Sequence, residues 1–216
     1  MRRLLSVILP TFLLLGIIAS GVRRILRTDE YWNSFLINPD TIVVLIMVLW
    51  LLYEVQISIR DKEKEIRVSD NGTREFYGFS QSITVLSALW LDSLWTTPSI
   101  FHIFGCFLII CGISFRFWAI RTLGKYYSHI VRTVNNHKII DNGPYRYIRH
   151  PSYAGMIVAL CGICVFYFNI VSVVLFLILL LPSIVFRIRI EERALLSLDG
   201  YSEYAKNRNR LIPYIW

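Results

Sequence analysis

Gly143-Pro144-Tyr145-Arg146-Tyr147-Ile148-Arg149-His150-Pro151-Ser152-Tyr153 sets turn-forming, polar and aromatic residues directly against an apolar run of membrane length. Gly143-Pro144 breaks the backbone. Pro151 suits the first turn of a new helix, because its missing N–H is not needed there and its φ is already helical. His150 then falls at the helix entrance, where unspent N–H groups and the positive end of the helix dipole favour a carboxylate or a phosphate. An interfacial collar of Arg and Tyr ahead of a membrane span uses the same residue types. The neighbours of the stretch decide between a site and a collar.

Those neighbours are apolar. Hydrophobic residues make up 55% of the 216-residue chain, more than a soluble domain of this size carries. The expected fold is all-α: a polytopic transmembrane helical bundle of about six spans, near residues 4–22, 41–59, 79–95, 100–120, 152–168 and 170–186. The last two runs are separated only by Asn169 and predict a tight helical hairpin, with a kink at Pro182. The first run has a positive start and small residues at its end, like a signal peptide, but its length and the spans that follow favour a retained helix. The net charge of +8 resides beside the apolar runs rather than along a soluble face, which points to an anionic membrane surface and away from nucleic acid.

With the amino terminus inside, nineteen Lys and Arg residues lie on the inner side and three (Arg23, Arg24 and Arg27) on the outer side. The positive-inside rule therefore sets the loop 60–75, the long polar interval 121–150 and the tail on the cytoplasmic face. A loop as long as 121–150 without periodic structure is usually functional, whereas the mixed-charge loop 60–75 reads as solvated. Cys106, Cys111, Cys161 and Cys164 all fall in apolar runs and read as small buried hydrophobes. The spacing of Cys161 and Cys164 lacks the second ligand pair of a zinc site, so no metal is expected. Arg187 and Glu191, four residues apart at the end of the last apolar run, share a helical face and can reach one ligand or each other.

The ordered blocks Arg116-Phe117-Trp118-Ala119-Ile120-Arg121-Thr122-Leu123-Gly124, His129-Ile130-Val131-Arg132, Gly143-Pro144-Tyr145-Arg146, Arg149-His150-Pro151-Ser152-Tyr153-Ala154-Gly155 and Arg187-Ile188-Arg189-Ile190-Glu191-Glu192 resemble the isoprenylcysteine carboxyl methyltransferase family. The likeness covers about the last hundred residues, and the chain resembles the smaller prokaryotic-type members. It implies an integral membrane enzyme that uses S-adenosylmethionine to methylate a lipidated cysteine carboxylate, with the cofactor under a cytoplasmic loop and a helical tail beyond. The positions that match the family's cofactor contacts are Arg132, His137, Lys138, Ile139, Ile140, Tyr145, His150, Pro151, Ser152, Tyr153 and Glu191, with Glu192 beside them. Arg187 matches a substrate-side arginine, and Arg132 stands where the animal enzymes carry glutamine.

The ligand's chemistry agrees with those residue types. S-adenosylmethionine offers a carboxylate for helix N–H groups, an amino group and ribose hydroxyls for Glu191, and an adenine for apolar and aromatic walls. An acceptor carboxylate is already ionised near neutral pH, so Arg187 or Arg116 need only hold it in line. The expected organisation is a single domain over 1–216, with variable spans over 1–98 and a catalytic core over 99–216. The expected acceptor is lipid-like or prenylated and enters from the bilayer, and the sequence gives no sign of an obligate protein partner. The site would face the cytoplasm from the bacterial inner membrane or the endoplasmic reticulum. A phospholipid or other lipid-amine methyltransferase is the nearest alternative and would need a general base; a transporter or scaffold would need polar residues through the mid-bilayer.

Overall fold

The computed structural model describes residues 2–27, 39–62, 72–95, 99–129 and 139–216. Its helices are α1 (Arg2–Arg27), α2 (Pro39–Lys62), α3 (Thr73–Trp90), α4 (Ile100–Leu123), α5 (Pro151–Phe166), α6 (Ile170–Leu195) and the short α7 (Tyr201–Lys206). Among the described residues no strand forms, and one isolated bridge pairs Ile148 with Asn209. Three segments are long and apolar enough to cross a membrane: Pro39–Ile59, Ile100–Tyr126 and Ile170–Leu195. Pro10–Arg23 and Pro151–Phe166 are apolar but shorter. Ile103, Phe104, Phe107 and Ile110 of α4 and Ile170, Val174, Leu177 and Ile178 of α6 point outward, as side chains facing lipid do.

Glycine decides which helices touch. Gly105 and Gly112 of α4, two turns apart, oppose Gly162 and Gly155 of α5. A Cβ on Gly155 would stand 2.7 Å from the Arg116 amide nitrogen, and one on Gly162 would stand 2.7 Å from that of Ile109. Side-chain-free faces let backbones meet where lipid supplies no hydrophobic drive for association. This contact corrects the expected hairpin: the turn at Asn169 is present, but α5 makes its main lengthwise contact with α4, while α6 lies on α3. Asn169 Oδ1 accepts from the Ser172 amide at 2.8 Å and so caps α6.

Helix α3 begins at Thr73, ahead of the apolar run predicted from residue 79, after Gly72 in the left-handed region at φ 83°. Periodic hydrophobicity misses its first turns because they are polar. Its inner face carries hydroxyls that bond back to their own helix, Ser80 to the Phe76 carbonyl and Thr84 to the Ser80 carbonyl, both at 2.8 Å. Helix α4 runs to Leu123 and stops at Gly124, φ 55°. Pro182 acts one step earlier than a simple kink: the residues before it, Phe176–Leu180, form a π turn, which absorbs the missing proline N–H and the clash of its ring with the preceding turn.

Replacing Gly112 or Gly155 by Leu should force α4 and α5 apart. Overpacking a filled site costs ~1–3 kcal/mol, and more where backbone blocks relief. Thermal unfolding in detergent should show a fall in Tm of several degrees for either variant and little change for Cys111→Leu, whose side chain is exposed.

Candidate functional site

The carboxyl ends of α2, α4 and α6 and the amino ends of α1, α3 and α5 meet around one cavity of about 230 Å³. Helices that alternate in direction produce this convergence, and polar residues that are scattered in sequence gather at one end of the bundle. Both halves of the chain contribute: Pro10, Leu13, Leu51, Glu54, Tyr77 and Gln81 from the first, and Arg116, His129, Tyr145, Tyr153, Arg187 and Glu191 from the second.

Tyr153, in the first turn of α5, links the two residues that share the face of α6. Arg187 Nε donates to its hydroxyl at 2.9 Å, and that hydroxyl donates to Glu191 Oε2 at 2.9 Å. Arg187 and Glu191 are thus coupled through a phenol rather than paired directly. The Arg187 residue is 3% exposed. Its Nη1 donates to Thr73 Oγ1 at 3.2 Å and its Nη2 to the main-chain carbonyl of His129. A guanidinium presents five N–H donors in a fixed fork, so buried Arg187 positions three separate segments at once.

A second buried cation stands on α4. Arg116 meets Glu54 of α2 through Nε to Oε1 at 2.6 Å and Nη2 to Oε2 at 2.9 Å, and its Nη1 donates to the Ser152 carbonyl at 3.0 Å. Trp50 Nε1 donates to Glu54 Oε1 at 2.8 Å, and His129 Nε2 stands 3.2 Å from Glu54 Oε2. Sequence reasoning missed Glu54. The signal was present: it is the sole acidic residue between Thr41 and Ile59, and a charge inside a span marks a functional candidate by its cost alone.

The tail closes the third cluster. Arg149 and His150 donate their amides to the carbonyls of Asn209 and Arg210, both at 2.9 Å. Glu192 accepts from Arg149 Nη1 at 2.6 Å and Arg210 Nε at 2.8 Å, with His150 Nε2 at 3.4 Å. The expected store of unspent N–H groups at the start of α5 is therefore reduced: the His150 amide serves the tail, and those of Tyr153 and Ala154 return to the His150 carbonyl at 3.1 Å. Tyr204 of α7 donates to the Tyr145 carbonyl at 2.9 Å. Burial pushes the Tyr204 phenol up to about 12 and that of Tyr145 well above its ordinary value, so both remain protonated at neutral pH.

Of the residues singled out in sequence, Arg116, Ile139, Ile140, Tyr145, His150, Ser152, Tyr153, Arg187 and Glu191 line the cavity. Pro151 is buried in the first turn of α5, and the Glu192 carboxylate is taken up by the tail cluster. Arg132, His137 and Lys138 lie outside the described residues. All four cysteines are free; Cys164 is buried, Cys106 and Cys161 are half-buried, and Cys111 is exposed, so only part of the set behaves as buried hydrophobes.

Fold and site define an α-helical integral membrane protein with an ionic cavity at one end of its bundle. Residues 104–197 match the family model described as the isoprenylcysteine carboxyl methyltransferase (ICMT) family, and the resemblance carried by the motifs is borne out over that segment. The chain is 35% identical over 118 residues to the protein-S-isoprenylcysteine O-methyltransferase of Saccharomyces cerevisiae, covering 52% of this chain and 49% of that one. To protein-S-isoprenylcysteine O-methyltransferase B of Arabidopsis thaliana it is 33% identical over 116 residues, 52% of this chain and 59% of the relative. It spans about half the length of the curated relatives it matches. A solved structure of a eukaryotic intramembrane Ras methyltransferase, ICMT, superimposes with a TM-score of 0.48 at 18% identity, covering 98% of this chain and 96% of the other.

Two substitutions probe this geometry. Tyr153→Phe removes the hydroxyl between Arg187 and Glu191 and leaves buried polar groups short of a partner, which costs ~1–3 kcal/mol; thermal unfolding should register the loss. Arg210→Met should loosen the tail, seen as faster amide hydrogen exchange at Arg149 and His150 with the exchange of α4 unchanged.

Proposed function

We propose that the protein transfers the methyl group of S-adenosylmethionine to the carboxylate of a membrane-dissolved acceptor such as a prenylcysteine. The observation that carries this reading is the arrangement of buried Arg187 with half-buried Tyr153 and Glu191 on the cavity wall, all three within the family-matching segment. The donor set fits the cofactor: Glu191 suits an amino group or hydroxyls, His150 and Ser152 add polar atoms, and Ile139, Ile140 and Tyr145 offer an apolar and aromatic wall. Tyr77 and Tyr201 support the fit, since both line the cavity and each holds a buried hydroxyl with no hydrogen-bond partner among the described residues. When bound, S-adenosylmethionine supplies an electrophilic methyl group.

Arg187 is the cation that would attract and orient the acceptor carboxylate; Arg116, the other cation expected for that role, is engaged by Glu54 and the Ser152 carbonyl. Such a carboxyl has a reference pKa of about 3.3–3.7, so it arrives ionised and needs alignment rather than a base. Its lipid tail keeps the acceptor in the bilayer, so entry is sideways between helices. We read the chain as one functional unit, residues 1–98 supplying acceptor-side walls and 99–216 the cofactor core, with about six traverses and the cavity toward the cytoplasm by the positive-inside rule. The proposal needs neither nucleic acid nor an obligate protein partner. The lipid-amine reading keeps one supporting observation, His129 beside Glu54 in the same cavity, since a protic amine would require a base.

Calorimetry in detergent should detect S-adenosylhomocysteine binding, weakened at least tenfold in the folded double variant His150→Ala with Glu191→Gln. Arg187→Lys keeps the charge but loses the planar fork, so methylation of a farnesylated cysteine should fall further than cofactor affinity does. Unchanged binding in the double variant removes the cofactor assignment. Turnover on a phospholipid amine and none on the farnesylated cysteine selects the alternative acceptor.

A further inference from the structure

The Glu54 carboxylate lies outside the family-matching segment, yet it is the most heavily engaged acidic group at the cavity. A carboxylate offers about four acceptor positions, and here three take hydrogen bonds, Oε1 from Trp50 Nε1 and Arg116 Nε and Oε2 from Arg116 Nη2, while His129 Nε2 stands 3.2 Å from Oε2. The Arg116 bonds neutralise the buried charge. The His129 contact does something else. It packs the carboxylate against the ring of a residue whose own main-chain carbonyl receives Arg187 Nη2. The third donor of Arg116, held by the same carboxylate, fixes the Ser152 carbonyl next to Tyr153, the other partner of Arg187.

Two routes therefore lead from Glu54 to the Arg187 guanidinium, one through His129 and one through Arg116 and the start of α5. We infer that Glu54 is a positioning residue for methyl transfer: it sets the orientation of Arg187 at the cavity wall from a helix that the family-matching segment does not include. The inference rests on the proposed function for what Arg187 does, but not for the link itself. Glutamine cannot substitute for the carboxylate. With one oxygen and one amide nitrogen, it sets an N–H against an Arg116 donor whichever way it turns, so either the Nε or the Nη2 bond of the bidentate match is lost.

The test has two independent readouts on full-length protein in detergent. In spectra of 15N-arginine-labelled protein, the Arg187 Nε signal, assigned by its loss in Arg187→Lys, should shift in Glu54→Gln and in His129→Ala. Counted per S-adenosylhomocysteine site, so that only folded protein is scored, Glu54→Gln should lose at least tenfold in kcat/KM for the farnesylated cysteine, with cofactor affinity changed less than threefold. Glu54→Asp, which keeps the charge and both oxygens, should recover part of that loss. The loss in Glu54→Gln with His129→Ala should be no larger than in the worse single variant, as for residues on one route. If Glu54→Gln unfolds, the His129→Ala spectrum and kinetics carry the test alone.

An Arg187 signal that does not move overturns the proposal, as does per-site activity equal to the parent. If the parent itself fails to methylate the farnesylated cysteine, the functional reading falls, and the positioning link is judged by the spectrum alone.

Discussion

A guanidinium buried among apolar helices is the constraint from which most of this structure follows. Taking Arg116 out of water carries an effective penalty of several kcal/mol, even after relaxation, and only close, geometrically matched acceptors offset it. Glu54 supplies a bidentate match, and the Ser152 carbonyl occupies the remaining arm. Those acceptors come from α2 and α5, so the demand of one side chain fixes three helices relative to one another. A hydrophobic isostere at this place would satisfy the core equally well, but it would not specify which helix end meets which.

Such a match needs backbones that can approach. Gly155 permits it directly, because a Cβ there would lie 2.9 Å from the Arg116 Cβ as well as against its amide. The absent side chains of α4 and α5 and the present side chain of Arg116 are parts of one solution. Two helices in near contact bring a charged group within reach of the next helix's first turn, where a carbonyl still offers its second lone pair and side-chain hydroxyls stand outside the ladder. Arg187 repeats the pattern from α6, reaching the first turns of α3 and α5.

What could be read from the sequence, and what could not, divides along the same line. The apolar runs, the turn at Asn169 and the break at Gly143-Pro144 depend on near neighbours, and they reappear at or near their expected places. Glu54 and Thr73 do not, because their meaning lies in partners 62 and 114 residues away. A Glu in a hydrophobic run could be penalised as an anomaly, but its partner could not be named. The start of α3 was hidden for a related reason: its polar first turns face an internal cavity, and hydropathy reads polarity as solvent. The pairing of α5 with α4 was written in glycine spacing, yet two glycines in each of two runs identify a partner only once their faces are known to oppose.

The π turn at Phe176–Leu180 sets a phase. An α-helix advances about 100° per residue, and a wider turn holding one more residue than an α turn rotates everything after it by that angle. Arg187 and Glu191 lie beyond it. In an uninterrupted helix of the same sequence they would point about a quarter-turn away from Tyr153, toward a neighbouring face of the bundle. The aim of the cation and carboxylate is therefore stored upstream, as an extra residue in an apolar segment that touches neither. A one-residue deletion there would leave composition and span length almost unaltered while turning the functional face of α6 out of the cavity.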